Sequence, residues 1–116
     1  HLGPSMKDAR ILLEWALERI AEVRQYTAGG RGEFVADRKT QAAVLRNLQT
    51  MAESTQRLPD VLKARNPEVD WRGIVGFRNV LVHSYMDLDL DLVLGVIETR
   101  LPELEAALRR MLEEQP

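Results

Sequence analysis

Apolar side chains recur along this chain mostly at intervals of three and four, the spacing that lines one side of a helix. Ile11, Leu12, Trp15, Ile20, Val23 and Tyr26 fall at threes, fours and fives and predict a first helix with one inward side. Ala28, Gly29 and Gly30 end it, because glycine accepts the backbone angles that close a helix. A second helix is predicted from about Phe34 to Arg57, with Val44, Leu45, Leu48, Met51, Ala52 and Thr55 as its stripe. Pro59 suits the first turn of a short third helix, which must stop before Asn66-Pro67. Asp70 is the expected N-cap of a fourth helix carrying Trp71, Ile74, Val75, Arg78, Leu81 and Val82, with its end near His83-Ser84. The run Asp87-Leu88-Asp89-Leu90-Asp91 alternates like a strand, but it is short. Its acids suit the positive end of a helix, so it reads as loop and cap. The fifth helix then carries Val93, Leu94, Ile97, Leu101, Leu104, Leu108 and Leu112, kinked or split by Pro102. The sum is an all-α chain, a compact bundle of four to five helices.

A length of 116 residues is one domain's worth, and no linker divides it. The first five residues, His1 to Ser5, read as a tag remnant, with Met6 as the natural start and residues 6–116 as a single helical domain. The absence of cysteine excludes disulfides and thiolate chemistry. With His1 set aside, His83 is the one remaining histidine, which leaves no zinc ligand set. No apolar run approaches the length of a membrane span and no secretory signal is present, so a cytoplasmic location without a membrane partner is expected. The net charge of −2 does not suggest a general nucleic-acid binder. The charge is uneven, however: Arg57, Lys63, Arg65, Arg72 and Arg78 outnumber the acids between them, while residues beyond 84 are predominantly acidic. The alternatives are a local basic face on an acidic body and ordinary solvated helix sides.

The fourth helix is apolar on most sides through Ile74, Val75, Phe77, Val80, Leu81 and Val82. Such a helix is enclosed, by its own bundle or by a partner subunit. Inside this apolar run sit Arg78, Asn79, His83 and, just beyond, Tyr85. Histidine is the residue type that carries protons near neutral pH, which makes His83 a candidate proton carrier, and Arg78 offers a planar fork suited to phosphate. Asn79 and His83 share a helix face, whereas Arg78 and His83 stand about 140° apart on a straight helix. Arg78 and His83 come together only if the helix ends near His83 or if two copies meet. The set is a minimal site for phosphodiester chemistry: proton carrier, anion clamp and orienting amide, with no metal or cofactor required. Residue types alone leave open the plainer reading of a helix-capping histidine and a salt-bridged arginine.

The pattern Arg78-Asn79, four further positions after Arg78, His83, then Tyr85 resembles the RX4HXY signature of the HepT family of HEPN-domain toxins. Asp37-Arg38-Lys39-Thr40-Gln41, Val44-Leu45-Arg46-Asn47-Leu48, Trp71-Arg72, Asn79-Val80-Leu81-Val82-His83, Asp89-Leu90-Asp91 and Leu101-Pro102-Glu103-Leu104 are similar to family segments in the family's order. The likeness extends over roughly residues 8–108. Two places depart from it: Ala52-Glu53-Ser54 stands where the family usually has Gly-Glu-Ala, and Met86-Asp87-Leu88-Asp89 replaces a glycine-containing turn after the motif tyrosine.

The resemblance implies a helical homodimer whose two motifs line one composite cleft and act as a metal-independent endoribonuclease on an RNA substrate. Arg78 and His83 would be the catalytic pair, with Asn79 in support. It implies a toxin silenced by its antitoxin, MntA, a small nucleotidyltransferase that transfers AMP from ATP to the tyrosine matching Tyr85. Glu53 matches the family's second-helix glutamate and could orient His83 or Arg78, or form a structural ion pair. Two other readings remain: a non-catalytic helical module that binds RNA or nucleotide, and a passive structural partner and substrate of a nucleotidyltransferase.

Overall fold

The computed structural model describes residues 6–84 and 87–115; His1 to Ser5 and the motif residue Tyr85 lie outside them. Among the described residues every regular element is helical: α1 (Met6–Tyr26), α2 (Arg31–Ala36), α3 (Arg38–Gln56), α4 (Asp60–Ala64), α5 (Trp71–His83), α6 (Leu90–Gly95), a π-helical stretch Val96–Arg100, and α7 (Leu101–Glu113). All five helical runs anticipated from sequence are present, two of them subdivided.

The second run breaks at Asp37, so the long helix begins at Arg38 rather than near Phe34. Asp37 has an extended backbone, and its carboxylate accepts from the Lys39 and Thr40 amides at 3.0 and 3.4 Å. A short polar side chain that satisfies the first free amides of one helix necessarily ends the one before it. Phe34, on α2, is 1% exposed and anchors that short helix in the core. Gly30, between α1 and α2, has φ of 89°, a region that favours glycine.

The last run is continuous through Pro102, and its irregularity falls one turn earlier, in Val96–Arg100. Proline has no N–H to donate and its ring crowds the carbonyl four residues back. Widening the preceding turn to π geometry relieves that crowding without ending the helix. At its start, Asp89 caps α6 through the amides of Asp91 and Leu92, as expected from the alternating acids.

α1 and α3 form the central pair. Ser54 Oγ donates to the Leu12 carbonyl at 2.8 Å, and Arg19 Nη1 donates to Asn47 Oδ1 at 3.0 Å, so the two helices run antiparallel. α7 lies along α1, tied by an Arg24–Glu105 ion pair of 2.6 Å, and α5 lies against α3. The core is Leu12, Leu13, Ala16, Ile20 and Val23 of α1, Val44, Leu48 and Met51 of α3, and Leu101, Leu104, Leu108 and Met111 of α7. Ile11, Trp15 and Tyr26, read as inward, are instead exposed. The inward side of α1 is one position round the helix, with Ala9 and Ala16 taking the close approaches. No helix among the described residues is long and apolar enough to cross a membrane.

Candidate functional site

Helix α5 carries the site. Asp70 starts it, with Oδ1 accepting from the Gly73 amide at 2.9 Å, and Ser84 ends it by donating its amide to the Val80 carbonyl at 2.9 Å. The inner side of α5 packs through Trp71, Ile74, Phe77 and Leu81, of which Leu81 alone is fully buried. The outer side carries Arg72, Val75, Gly76, Asn79, Val80 and His83, all exposed. A side chain built at Gly76 would meet no other atom within 4 Å. An apolar helix is thus only half covered by its own bundle.

Arg78 lies half-buried between these two sides and reaches α3. Its Nε and Nη2 donate to Glu53 Oε2 at 3.0 and 2.8 Å, while Nη1 lies 3.4 Å from Asn79 Oδ1. Gln49, one turn before Glu53 on α3, donates its amide to the same oxygen at 3.3 Å. The hydrogen bonds from Arg78, with help from Gln49 and the positive field of Arg46, hold the Glu53 carboxyl below the usual carboxylate range despite partial burial. The guanidinium is therefore anchored along one edge, leaving Nη1 directed away from Glu53.

His83 is the last residue of α5 and is exposed; it takes no hydrogen bond from the described residues. Because α5 is helical from Arg78 through His83, the two motif residues stay about 140° apart within one protomer. Asn79 and His83 share the outer side, together with Val80 and Gly76. Of the sequence-derived candidates, the structure joins Arg78, Asn79 and Glu53 and leaves His83 separate; Glu53 contacts Arg78, not His83. Gln49 was not among those candidates, although its position four residues before Glu53 on one helix face was a usable signal. Among the described residues no group of three or more histidine, aspartate or glutamate side chains comes together as a metal site.

An all-helical bundle bearing an anchored arginine and a helix-terminal histidine defines a class, and comparison with known proteins gives the family. The family model described as ribonuclease HepT-like matches residues 16–111, and the chain belongs to that family. It is 30% identical over 97 residues to "Putative RNase MJ0127" of Methanocaldococcus jannaschii, covering 83% of this chain and 80% of that protein. It is 29% identical over 79 residues to "Probable ribonuclease HepT" of Thermococcus cleftensis, covering 68% of this chain and 72% of that one. Over 111 residues it is 28% identical to "Putative RNase TTE0752" of Caldanaerobacter subterraneus, spanning 95% of this chain and 99% of the relative. No solved structure matches the chain.

Proposed function

We propose that this protein is an endoribonuclease toxin that cleaves RNA without a metal, through Arg78 and His83 brought together across a homodimer. The observation that carries the reading is the Arg78 anchor. Glu53 and Gln49 fix one edge of the guanidinium, and its Nη1 stands beside Asn79 on a helix whose last residue, His83, has no side-chain partner among the described residues. In metal-independent cleavage the 2′-oxygen bonds to the adjacent phosphorus as the bond to the 5′-oxygen breaks. One proton leaves the 2′-hydroxyl and one joins the departing oxygen. His83 carries one of these protons, since an imidazole nitrogen can both accept and donate one. Arg78 holds the scissile phosphate and offsets the charge that develops there.

The half-covered helix supports the dimer. Val75 and Val80 are 37% and 40% exposed, and Gly76 between them leaves room for a second backbone to approach. A two-fold pairing of α5 helices centred on Gly76 and Val80 would cover that end of the side, set His83 of one copy toward the groove of the other, and leave Arg72 and Val75 at its edge. Tyr85 follows His83 by two residues, and we assign it as the switch. An MntA-like nucleotidyltransferase antitoxin would transfer AMP from ATP to the phenolic oxygen, which loses its proton as pyrophosphate leaves, adding a negative phosphodiester and a nucleoside two residues along the chain from His83.

The test is cleavage of single-stranded RNA by the purified protein in EDTA. Wild type should cut, and Arg78→Ala and His83→Ala should each lose at least about a thousandfold, the scale of lost acid–base or charge stabilisation. Their circular dichroism should match wild type. Cleavage that stops in chelator and returns with a divalent ion would sink the mechanism. Full activity in either folded variant would sink the residue assignment.

A further inference from the structure

One helical turn beyond the Arg78–Glu53 pair, the groove between α3 and α5 opens into a cavity of about 130 Å³ lined by Thr55, Gln56, Lys63, Trp71, Arg72 and Val75. The placement follows from the register. Gln56 is three residues past Glu53 on α3, and Val75 is three residues before Arg78 on α5. Each step is close to one turn and lies about 60° from the paired residue, so the cavity continues the same groove in the same direction on both helices. The step along either axis is about 4.5 Å, so the cavity begins one helical turn from the Arg78–Glu53 pair.

The walls have a particular chemistry. Trp71 is half-buried, and its Nε1 donates to the carbonyls of Lys63 and Asn66, both at 3.1 Å, which fixes the indole plane. Lys63 crosses the floor, its Nζ donating to the Gln56 carbonyl at 3.1 Å with Asp60 3.6 Å away. The Gln56 side-chain amide is half-buried and takes no partner among the described residues, and neither does the exposed Arg72 guanidinium. A flat aromatic wall, an amide with donor and acceptor, one cation at the rim and one on the floor are groups suited to hold a nucleotide by its base. A cavity of this size, open on one side, has room for a planar ring system.

We infer that this cavity is a base subsite for the RNA substrate, taking the unstacked nucleobase next to the scissile phosphate. This rests on the ribonuclease reading. The base lies against Trp71, Gln56 reads its hydrogen-bonding edge, and Arg72 with Lys63 holds its phosphate. The subsite makes cleavage depend on the base at one fixed position from the cut.

Two experiments on the full chain test it. In the first, a single-stranded RNA pool of randomised sequence is cut and the ends are mapped. Wild type should prefer certain bases at one position beside the cut, and Gln56→Leu should flatten that preference by about tenfold, the worth of one lost base contact. Arg72→Gln should raise KM and reduce the slope of log binding against log salt by about 0.7, as for one lost phosphate contact on a single strand. Gln56→Glu serves in place of Gln56→Leu if the latter fails to fold. An unchanged preference in a folded Gln56 variant overturns the subsite while leaving the ribonuclease reading intact, and so does an Arg72→Gln effect confined to kcat. In the second, Trp71 fluorescence is followed in a Trp15→Phe background during titration with AMP, CMP, GMP and UMP. Saturable quenching by at least one of them, weakened by Arg72→Gln, is expected. Should wild type fail to cut RNA, the ribonuclease reading falls and this titration decides the pocket: saturable quenching upholds a nucleotide site, and none overturns it.

Discussion

Removing the charge from Glu53 isolates the part of the site that α3 supplies. Three donors converge on Glu53 Oε2: Arg78 Nε at 3.0 Å, Arg78 Nη2 at 2.8 Å and Gln49 Nε2 at 3.3 Å. The two side chains are 29% and 35% exposed, between a surface pair and a buried one. Charge-assisted hydrogen bonds reach about 1.5–3 kcal/mol when shielded, and exposed ion pairs fall to about 1 or less. With that discount for solvent screening, Glu53→Gln, which keeps an acceptor, should lose about 1 kcal/mol and lower the melting midpoint by about 4 °C. The larger effect should be on rate. A guanidinium free to swing away from Glu53 is misplaced by an ångström or more, a displacement that can cost about a hundredfold. Single-turnover RNA cleavage should fall about tenfold in Glu53→Gln and about a hundredfold in Glu53→Ala, with KM changed less than kcat.

The sign with pH follows from the direction of the Glu53 shift. Its carboxyl is held below the usual range by Arg78, so the folded state favours the charged form. The stability it contributes is complete above the unfolded value of about 4.3 and is lost as pH falls through the lower folded value. Wild type and Glu53→Gln should therefore differ fully at pH 7 and converge in acid. Denaturant melts from pH 7 to pH 3 measure this. If Glu53→Ala cleaves RNA at the wild-type rate while Arg78→Ala does not, Glu53 is a structural partner only and the positioning argument fails.

Light scattering at micromolar concentration should give a dimer, and Val80→Lys, which puts a charge on the open side of α5, should yield a folded monomer with little activity; a wild-type monomer would refute the pairing. Tyr85→Phe should still cut RNA yet gain no AMP when incubated with its nucleotidyltransferase and ATP, and AMP found by mass spectrometry on a different residue would refute the switch assignment. Asp70→Ala removes the carboxylate that accepts from the Gly73 amide and should cost about 1 kcal/mol, read as a lower urea midpoint at unchanged slope. An unchanged midpoint would show that α5 is held by packing alone.

Much of this protein is local and was legible in its sequence. Helical spacing gave the five helical runs, and short polar residues gave the caps at Asp70 and Asp89, because a side chain three residues from a free amide needs no distant partner. Arg78, Asn79 and His83 stood out as polar groups in an apolar helix. The Asp37 break was written in the same capping chemistry but was masked by the apolar pattern running on either side of it.

The tertiary structure alone decided which side of each helix turns inward. Apolar residues surround enough of α1 that Ile11 and Trp15 looked as inward as Leu12, and the close approach of α3 at Leu12 and Ser54 settled it. The same holds for the site. Glu53 and Arg78 are 25 residues apart in sequence, and their pairing exists because α3 and α5 pack side by side. The cavity lined by Gln56, Trp71 and Arg72 is likewise a property of that packing. A helix pattern fixes what a side chain can reach within two turns. Which distant charge it meets, and which face remains open, depend on how the helices pack.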